Sequence, residues 1–244
     1  EIGVRLVGSE MCIRDRYVAF ADKCWPAFPS QFGFEPCYVN SRLVSRGIPV
    51  SCEVDIYGAL SEYIGICASG DTVTLLDINN SVPKYIYDED ISGKFDYKLT
   101  DTFMGFHCGN TPACKMCGDR AVKYQLIQHR LLEPVGSDPD FTRGTLEGDI
   151  APSDITFYRL QCDSEGQLRA YIAEGEILPV ATRSFGGIAI FAIPEMGRFY
   201  RHVLIQKRYP HHGAVAFGHY GKTLFEVLKF FGIADIAYLS LIHI

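Results

Sequence analysis

The chain has 244 residues, 48% of them hydrophobic, and a formal net charge of −6, so it is long enough for one large or two small domains with a sizeable core. The acidic balance argues against a nucleic-acid partner, because a protein that grips the phosphate backbone needs a basic patch. No apolar run is long enough to cross a bilayer, so no membrane partner is expected. The nine cysteines are an odd number with no secretory segment before them, which favours reduced thiols in a cytoplasmic protein.

Both ends of the chain are expected to be foreign to the natural protein. Residues 1–16 contain the translation of a transposase adapter used in sequencing libraries, and residues 239–244 match the same adapter read from its other strand. Such scars are left out of fold reasoning. We therefore expect the natural sequence to run from about residue 17 to about residue 238, as a piece of a longer protein. The alternative is a frayed N-terminal strand and a short apolar C-terminal strand.

The first part of the remaining sequence is typical of an α/β domain. Patterns of apolar residues predict two helices and two buried strands, in the order helix 37–44, strand 48–53, helix 57–67 and strand 73–76. The strand–helix–strand order predicts that residues 17–71 are the end of an α/β domain.

The pattern of polar, apolar and β-prone residues changes in the second part of the sequence, which we assign to residues 72–238. A polar stretch at residues 88–101 is loop-like, and short β-rich runs separated by Gly and Pro then predict an antiparallel sheet or barrel. The predicted strands are residues 155–161, 168–173, 188–193 and 200–206. Residues 222–231 are predicted as a helix whose apolar face includes Phe231. The predicted fold is an α/β remnant followed by a mostly β, barrel-like C-terminal domain.

Two carboxylates follow apolar runs, Glu53 after the first predicted strand and Asp77 after the second. If these strands are parallel neighbours, both side chains emerge at the edge of the sheet where α/β proteins bind ligands. With one imidazole they form a ligand set for a divalent metal that keeps positions open for substrate oxygens. The alternatives are charge at a helix N-terminus for Glu53 and Asp55 and an Asx turn for Asp77.

The candidates for the imidazole ligand of this metal are the adjacent residues His211 and His212. In an extended chain neighbouring side chains point to opposite sides, so at most one of the two is expected to face a given site. For any single histidine a structural role is the competing interpretation.

A rival metal site lies around His107, where Cys108, Cys114 and Cys117 follow closely. The gap between the last two cysteines is the gap of zinc knuckles. No second pair with this spacing exists in the chain, so reduced cysteines in a loop remain the favoured interpretation. A zinc-stabilised interaction module is the corresponding alternative function.

Several segments together resemble the L-fucose isomerase / L-arabinose isomerase family, and within it the fucose-isomerase-like branch. The similarity covers nearly all of residues 17–238, and its order and spacing are more specific than any one segment. The segments are Cys24-Trp25-Pro26, Gly47-Ile48-Pro49-Val50-Ser51-Cys52-Glu53-Val54-Asp55, Leu76-Asp77, Gly105-Phe106-His107-Cys108-Gly109-Asn110, and Pro210-His211-His212-Gly213-Ala214-Val215-Ala216-Phe217-Gly218-His219.

The resemblance implies a metal-dependent isomerase that interconverts aldoses and ketoses through a cis-enediol. It implies Mn²⁺, or another divalent cation, held by Glu53, Asp77 and His212, with the two carboxylates also catalytic. His107 and His211 are further candidates for the metal. Asn110 is a candidate for substrate binding.

The resemblance also implies a small-molecule sugar partner, such as L-fucose or an arabinose, and a homo-oligomer when the protein is full length. Family members have further N-terminal α/β domains that help to form the pocket, so this piece alone is expected to be inactive and to associate or dissolve poorly. The alternative is a non-catalytic sugar-binding or regulatory relative with the same fold.

Overall fold

Two short strands open the structure, which is a computed structural model that describes residues 18–118, 121–123, 136 and 145–239. Strand β1 (Phe20–Ala21) pairs in parallel with β2 (Val50–Ser51), and helices α1 (Ala27–Phe32) and α2 (Cys37–Val44) lie between them in the chain. Helix α2 has the predicted bounds. The predicted strand 48–53 is shorter than expected, because Glu53 and Val54 both have positive φ angles of 63° and 59° and turn the chain out of the extended conformation.

Helix α3 (Ile56–Ser69) follows this turn and has a cap at each end. The Asp55 side chain accepts a hydrogen bond from the Gly58 amide at the start of the helix, and Gly70 ends the helix in the left-handed conformation. The predicted helix 57–67 is therefore confirmed and slightly longer. The premise that the flanking strands are parallel neighbours is wrong, since β2 pairs only with β1 among the described strands and the strand after α3 belongs to another sheet.

Six antiparallel strands close into a barrel in the order β3-β4-β9-β8-β7-β10 and back to β3. Their bounds are β3 Val73–Ser81, β4 Thr102–His107, β7 Ser153–Cys162, β8 Leu168–Ile177, β9 Gly187–Ala192 and β10 His212–Phe217. Three further strands extend this sheet, namely β5 Ala121–Lys123, β6 Thr145–Asp149 and β11 Asp235–Tyr238. The predicted barrel-like domain is confirmed.

Helical segments pack around the barrel, and the segment from Met196 to Ile205 contributes buried side chains to the same cluster as the barrel interior. They are α4 (Lys84–Ile86) continued by a π-helical turn (Tyr87–Ile91), a 3₁₀ turn (Leu99–Asp101), a second 3₁₀ turn (Ala113–Lys115), α5 (Met196–Phe199) continued by a π-helical stretch (Tyr200–Ile205), and α6 (Gly221–Phe230). No helix in the described part of the chain is both long enough and apolar enough to cross a membrane.

Three predictions in this part are wrong in whole or in part. The polar stretch at residues 88–101 is not a loop throughout, because it contains part of the π-helical turn Tyr87–Ile91 and the 3₁₀ turn Leu99–Asp101. Residues 200–205 are helical rather than extended, because Phe199 and Val203 are buried one helical turn apart, a spacing that the β-prone composition of the segment concealed. Phe231 is 72% exposed and does not belong to the buried face of α6, which consists of Leu224 and Leu228.

The interior of the barrel is filled by aromatic and aliphatic side chains from all six strands. The ring of Phe103 stacks on that of Phe191 at 5.2 Å between centroids, and Phe157 lies 5.7 Å from Phe103. Gly213 allows this packing, since a Cβ atom there would lie 2.1 Å from the Phe157 ring. Alternate residues of β3, β7, β8 and β10 face outward and pack under helices α3 and α6, whereas those of β4 and β9 pack against the helical segment that contains Ile86 and Ile91.

Helix α3 packs very closely on strand β7 at Gly65. A Cβ atom at this position would lie 1.7 Å from Tyr158 Oη, and that hydroxyl donates to the Ser61 carbonyl at 2.8 Å. We expect Gly65→Ala to lower the free energy of unfolding by about 1–3 kcal/mol, because overpacking forces the ring to move. Urea denaturation would measure this change.

The matched control is the double variant Gly65→Ala with Tyr158→Phe, which removes the clashing oxygen. Its loss of stability should be smaller than the sum of the two single losses, because the variants share one contact. Additive losses would show that α3 is not held at this distance from β7.

Candidate metal centre

The first carboxylate of the site lies in the strained turn after β2. Glu53 and Val54 adopt the left-handed conformation, which is costly for a β-branched residue such as valine. The turn is held by a hydrogen bond from the Val54 amide to the Asp22 carbonyl at 2.8 Å. The Glu53 side chain is 54% exposed and reaches towards the start of β10.

The other two groups face each other on neighbouring barrel strands. Asp77 on β3 is the direct register partner of His212 on β10. Asp77 Oδ1 lies 3.1 Å from His212 Nε2, and Glu53 Oε2 lies 3.5 Å from the same nitrogen. His212 Nε2 therefore lies close to both carboxylates. Two groups of potential metal ligands share His212 in the described part of the chain, one with Glu53 and His211 and the other with Asp77 and His107.

The orientation of His212 suits a metal ligand. Its Nδ1 lies 2.9 Å from Asp55 Oδ2, so that in the neutral ring Nδ1 carries the proton and Nε2 presents a lone pair. Asp55 is itself held by Arg159, whose two terminal nitrogens each donate to a carboxylate oxygen at 2.7 Å. A carboxylate behind a ligating histidine is the usual arrangement at protein metal sites.

Two buried atoms of the site lack partners. Neither His212 Nε2 nor Asp77 Oδ1 is in a hydrogen bond within the described part of the chain, despite their short separation. Buried polar atoms without partners are costly. A divalent cation bound to both would satisfy them, and oxygen and imidazole nitrogen ligands suit Mn²⁺. The residues present therefore fit the metal that the sequence predicts.

The charges of the site are strongly coupled. Burial by itself raises the pKa of Asp55, but the contacts with His212 and Arg159 outweigh it and hold this pKa well below its usual range. The pKa of Asp77 is also below its usual value, because burial raises it but the contacts with His212 and His107 lower it by more. Asp55 and Asp77 are therefore both ionised at neutral pH, and Asp77, whose Oδ1 has no hydrogen-bond partner in the described part of the chain, is available to a cation.

We expect the affinity of the chain for Mn²⁺ to rise with pH up to about 9. Burial by itself lowers the pKa of His212, but Asp55 and Asp77 outweigh it and raise this pKa to about 9. Below that pH the metal must displace a proton, so the apparent affinity should rise by about tenfold per pH unit. Electron paramagnetic resonance of free Mn²⁺ would measure it. An affinity that does not change with pH, or a slope that persists in His212→Asn, would contradict this expectation.

His107 is placed differently. A ring nitrogen of His107 lies within 4.8 Å of ligand atoms of Asp77 and His212, and its Nε2 is buried without a hydrogen-bond partner among the described residues. Its Nδ1, however, accepts from the Cys108 amide at 3.0 Å. In the neutral ring Nε2 therefore carries the proton, so His107 is better suited to donate a hydrogen bond than to bind the metal.

His211 also approaches the site, contrary to the expectation that only one of the adjacent histidines would do so. Its Nε2 lies 3.6 Å from Asp77 Oδ1, its side chain is 56% exposed, and its ring centroid is 4.4 Å from that of His212. The reason is that His211 precedes β10 in a bend, so the alternation of an extended strand does not apply to the pair.

Asn110 and the rival zinc site have other surroundings. Asn110 is completely buried and donates to the Val50 carbonyl at 2.5 Å, so it supports β2, while its Oδ1 has no hydrogen-bond partner in the described part of the chain. Cys114 and Cys117 are exposed. Neither belongs to a group of potential metal ligands in the described ranges.

Sequence reasoning missed the partners that orient His212. The sequence predicts Asp55 only as a charge at a helix N-terminus, and Asp55 does cap helix α3. Its position two residues after Glu53 is a weak signal of the further role. Arg159 lies 104 residues away from Asp55 along the chain, and no local pattern could have paired them.

Comparison with known proteins agrees with this fold. Residues 105–238 match the family described as L-fucose isomerase, C-terminal domain. The chain belongs to this family. The matched segment of the L-fucose isomerase C-terminal family includes His212 and strands β7 to β11, while Glu53 and Asp77 precede it.

Curated relatives are sugar isomerases of low identity. The chain is 26% identical over 185 residues to the sulfoquinovose isomerase of Clostridium sp. (strain MSTE9), and this alignment covers 72% of the chain and 34% of the relative. It is 23% identical over 232 residues to the sulfoquinovose isomerase of Alkalicoccus urumqiensis, and that alignment covers 92% of the chain and 45% of the relative. The chain thus spans less than half the length of these relatives.

Proposed function

We propose that this chain contributes the metal centre of an aldose–ketose isomerase. The observation that carries the proposal is the approach of both Glu53 and Asp77 to Nε2 of His212, whose Nδ1 is held by Asp55. The three groups would hold Mn²⁺ or another divalent cation. When bound, this ion would polarise neighbouring oxygens of a sugar as a Lewis acid.

Side chains of the chain itself would move the proton and donate a hydrogen bond at the site. One of the carboxylates Glu53 and Asp77 would take the proton from C2 of the aldose, and return of a proton at C1 would give the ketose through a cis-enediol. Glu53 is the better candidate for the mobile base, because its side chain is half exposed whereas Asp77 is mostly buried. His107 would donate a hydrogen bond from the protein side of the site.

The substrate is proposed to be a sugar of the kind that the relatives use. Their printed names favour sulfoquinovose, and the family name keeps L-fucose and the arabinoses as the second choice. A non-catalytic sugar-binding relative is disfavoured, because that role does not require two carboxylates close to an oriented imidazole.

The test is an assay of these aldoses with Mn²⁺, carried out with the 244-residue chain and with the complete product of its gene. We expect ketose formation by the complete product, together with incorporation of solvent deuterium at the product carbon. Product formed without deuterium would favour a hydride shift between C1 and C2 instead. Binding of sugar without turnover by the complete product would support the non-catalytic alternative.

A further inference from the structure

A second group of potential metal ligands lies behind the strained turn and shares no residue with the centre described above. Asp22 and Cys24 follow strand β1, and Cys52 follows strand β2. Because the strands are parallel, their carboxyl ends lie side by side. A carboxylate oxygen and two sulfur atoms of these residues lie within 4.8 Å of one another.

The two cysteines of the group are buried, Asp22 is partly buried, and one oxygen of Asp22 has no hydrogen-bond partner in the described part of the chain. Cys24 is 6% exposed and Cys52 is completely buried. Asp22 Oδ2 accepts from Asn40 Nδ2 at 2.8 Å, whereas Asp22 Oδ1 is buried with no hydrogen-bond partner in the described part of the chain. No lysine or arginine among the described residues forms an ion pair with Asp22. A buried carboxylate oxygen without a partner is costly, and a bound cation would offset that cost.

The chemistry of the donors selects a metal different from that of the first centre. Two thiolates and one carboxylate form a set that Zn²⁺ binds tetrahedrally, whereas Mn²⁺ prefers oxygen ligands. More sulfur is nearby, since Cys37 Sγ and Cys108 Sγ lie 4.0 Å apart and both interact electrostatically with Cys24. The surroundings are therefore rich in thiols.

We propose that Asp22, Cys24 and Cys52 bind a thiophilic divalent cation, zinc by the chemistry of the ligands, in a site separate from the sugar-isomerase centre. Binding would release the two thiol protons and leave the fourth tetrahedral position to a water or to a neighbouring thiol. The ion would tie the end of β1 to the end of β2. Because Cys52 directly precedes Glu53, the ion would also fix the turn that presents Glu53.

Cobalt titration of the reduced 244-residue chain tests the proposal, because Co²⁺ takes tetrahedral zinc sites and its bonds to thiolates absorb in the near-ultraviolet. We expect a sulfur-to-cobalt charge-transfer band that saturates at one ion per chain and disappears when Zn²⁺ is added. The ligands of the first centre are oxygen and nitrogen only, so they contribute nothing to this band. Absence of the band in the unaltered chain would overturn the proposal.

Variants locate the ion. Cys52→Ser should abolish the band and Asp22→Asn should weaken cobalt binding, whereas the matched control Cys114→Ser in the exposed pair should leave the band unchanged. Glu53→Gln should also leave it unchanged, which separates this proposal from the proposed isomerase activity. A band that survives in Cys52→Ser and is lost in Cys114→Ser would place the ion in the loop and refute the assignment.

A spectroscopic measurement on the unaltered chain covers the case in which Cys52→Ser does not fold. X-ray absorption of the zinc-loaded chain should show two or three sulfur neighbours at about 2.3 Å together with oxygen. A shell without sulfur, or a shell of four sulfur atoms that excludes Asp22, would contradict the proposed ligand set.

Discussion

If the proposed isomerase activity is present, Glu53→Gln is expected to lower its kcat by about 10²–10⁴-fold, the usual contribution of a positioned acid–base group. The amide cannot accept the substrate proton, and it is a weaker metal ligand than the carboxylate. Folding should be nearly unaffected, because the side chain is 54% exposed and the replacement has the same shape. Steady-state rates with saturating Mn²⁺ and a sugar that the unaltered enzyme converts would give the result.

The matched control for this variant is Glu89→Gln. Glu89 is a surface carboxylate whose partner is the exposed Arg183, so its replacement should leave kcat unchanged. An unchanged rate in Glu53→Gln, with the same Mn²⁺ affinity as the unaltered enzyme, would show that Glu53 neither binds the ion nor moves the proton.

Asp55→Ala is expected to have the largest effect on stability, a loss of about 3–5 kcal/mol in the free energy of unfolding. Arg159 is 3% exposed, and removal of Asp55 leaves its guanidinium buried without the carboxylate that holds it. The helix cap at Gly58 is lost as well, which adds about 1 kcal/mol. Urea denaturation of the metal-free chain would measure the loss.

The same change should weaken Mn²⁺ binding about 10–100-fold, because nothing then fixes the tautomer and the orientation of His212. Asp55→Asn separates the two effects if the alanine variant does not fold, since the amide keeps an acceptor for the helix cap. The control is Asp71→Ala, which breaks an exposed pair with Lys115 and should cost about 0–1 kcal/mol. Equal losses in Asp55→Ala and Asp71→Ala would contradict the role given to the buried network.

Local patterns in the sequence are sufficient for most helices and strands, and they also single out the residues proposed for the metal centre. The apolar runs of β7, β8 and β9, the periodicity of α3 and the carboxylates after apolar runs are all short-range signals. The prediction failed where composition and periodicity disagreed, as in the helical residues 200–205, whose β-prone side chains gave no warning of the buried helical spacing.

The predicted reason why Glu53 and Asp77 lie near the same site is wrong. The prediction required two parallel neighbouring strands, whereas the structure uses a strained turn for one residue and an antiparallel barrel strand for the other. Closure of a barrel and the pairing of Asp55 with Arg159 depend on contacts between distant parts of the chain. Neither feature can be predicted from the local pattern of a few neighbouring residues.

The register of β3 with β10 has a consequence for insertions and deletions in natural variants of this barrel. His212 lies opposite Asp77, and both side chains point to the same face of the sheet. Loss or gain of one residue inside either strand would turn one of these side chains to the other face. Changes in length should therefore accumulate in the segments that connect the strands, while the spacing from Val73 to Asp77 and from His212 to Phe217 stays fixed.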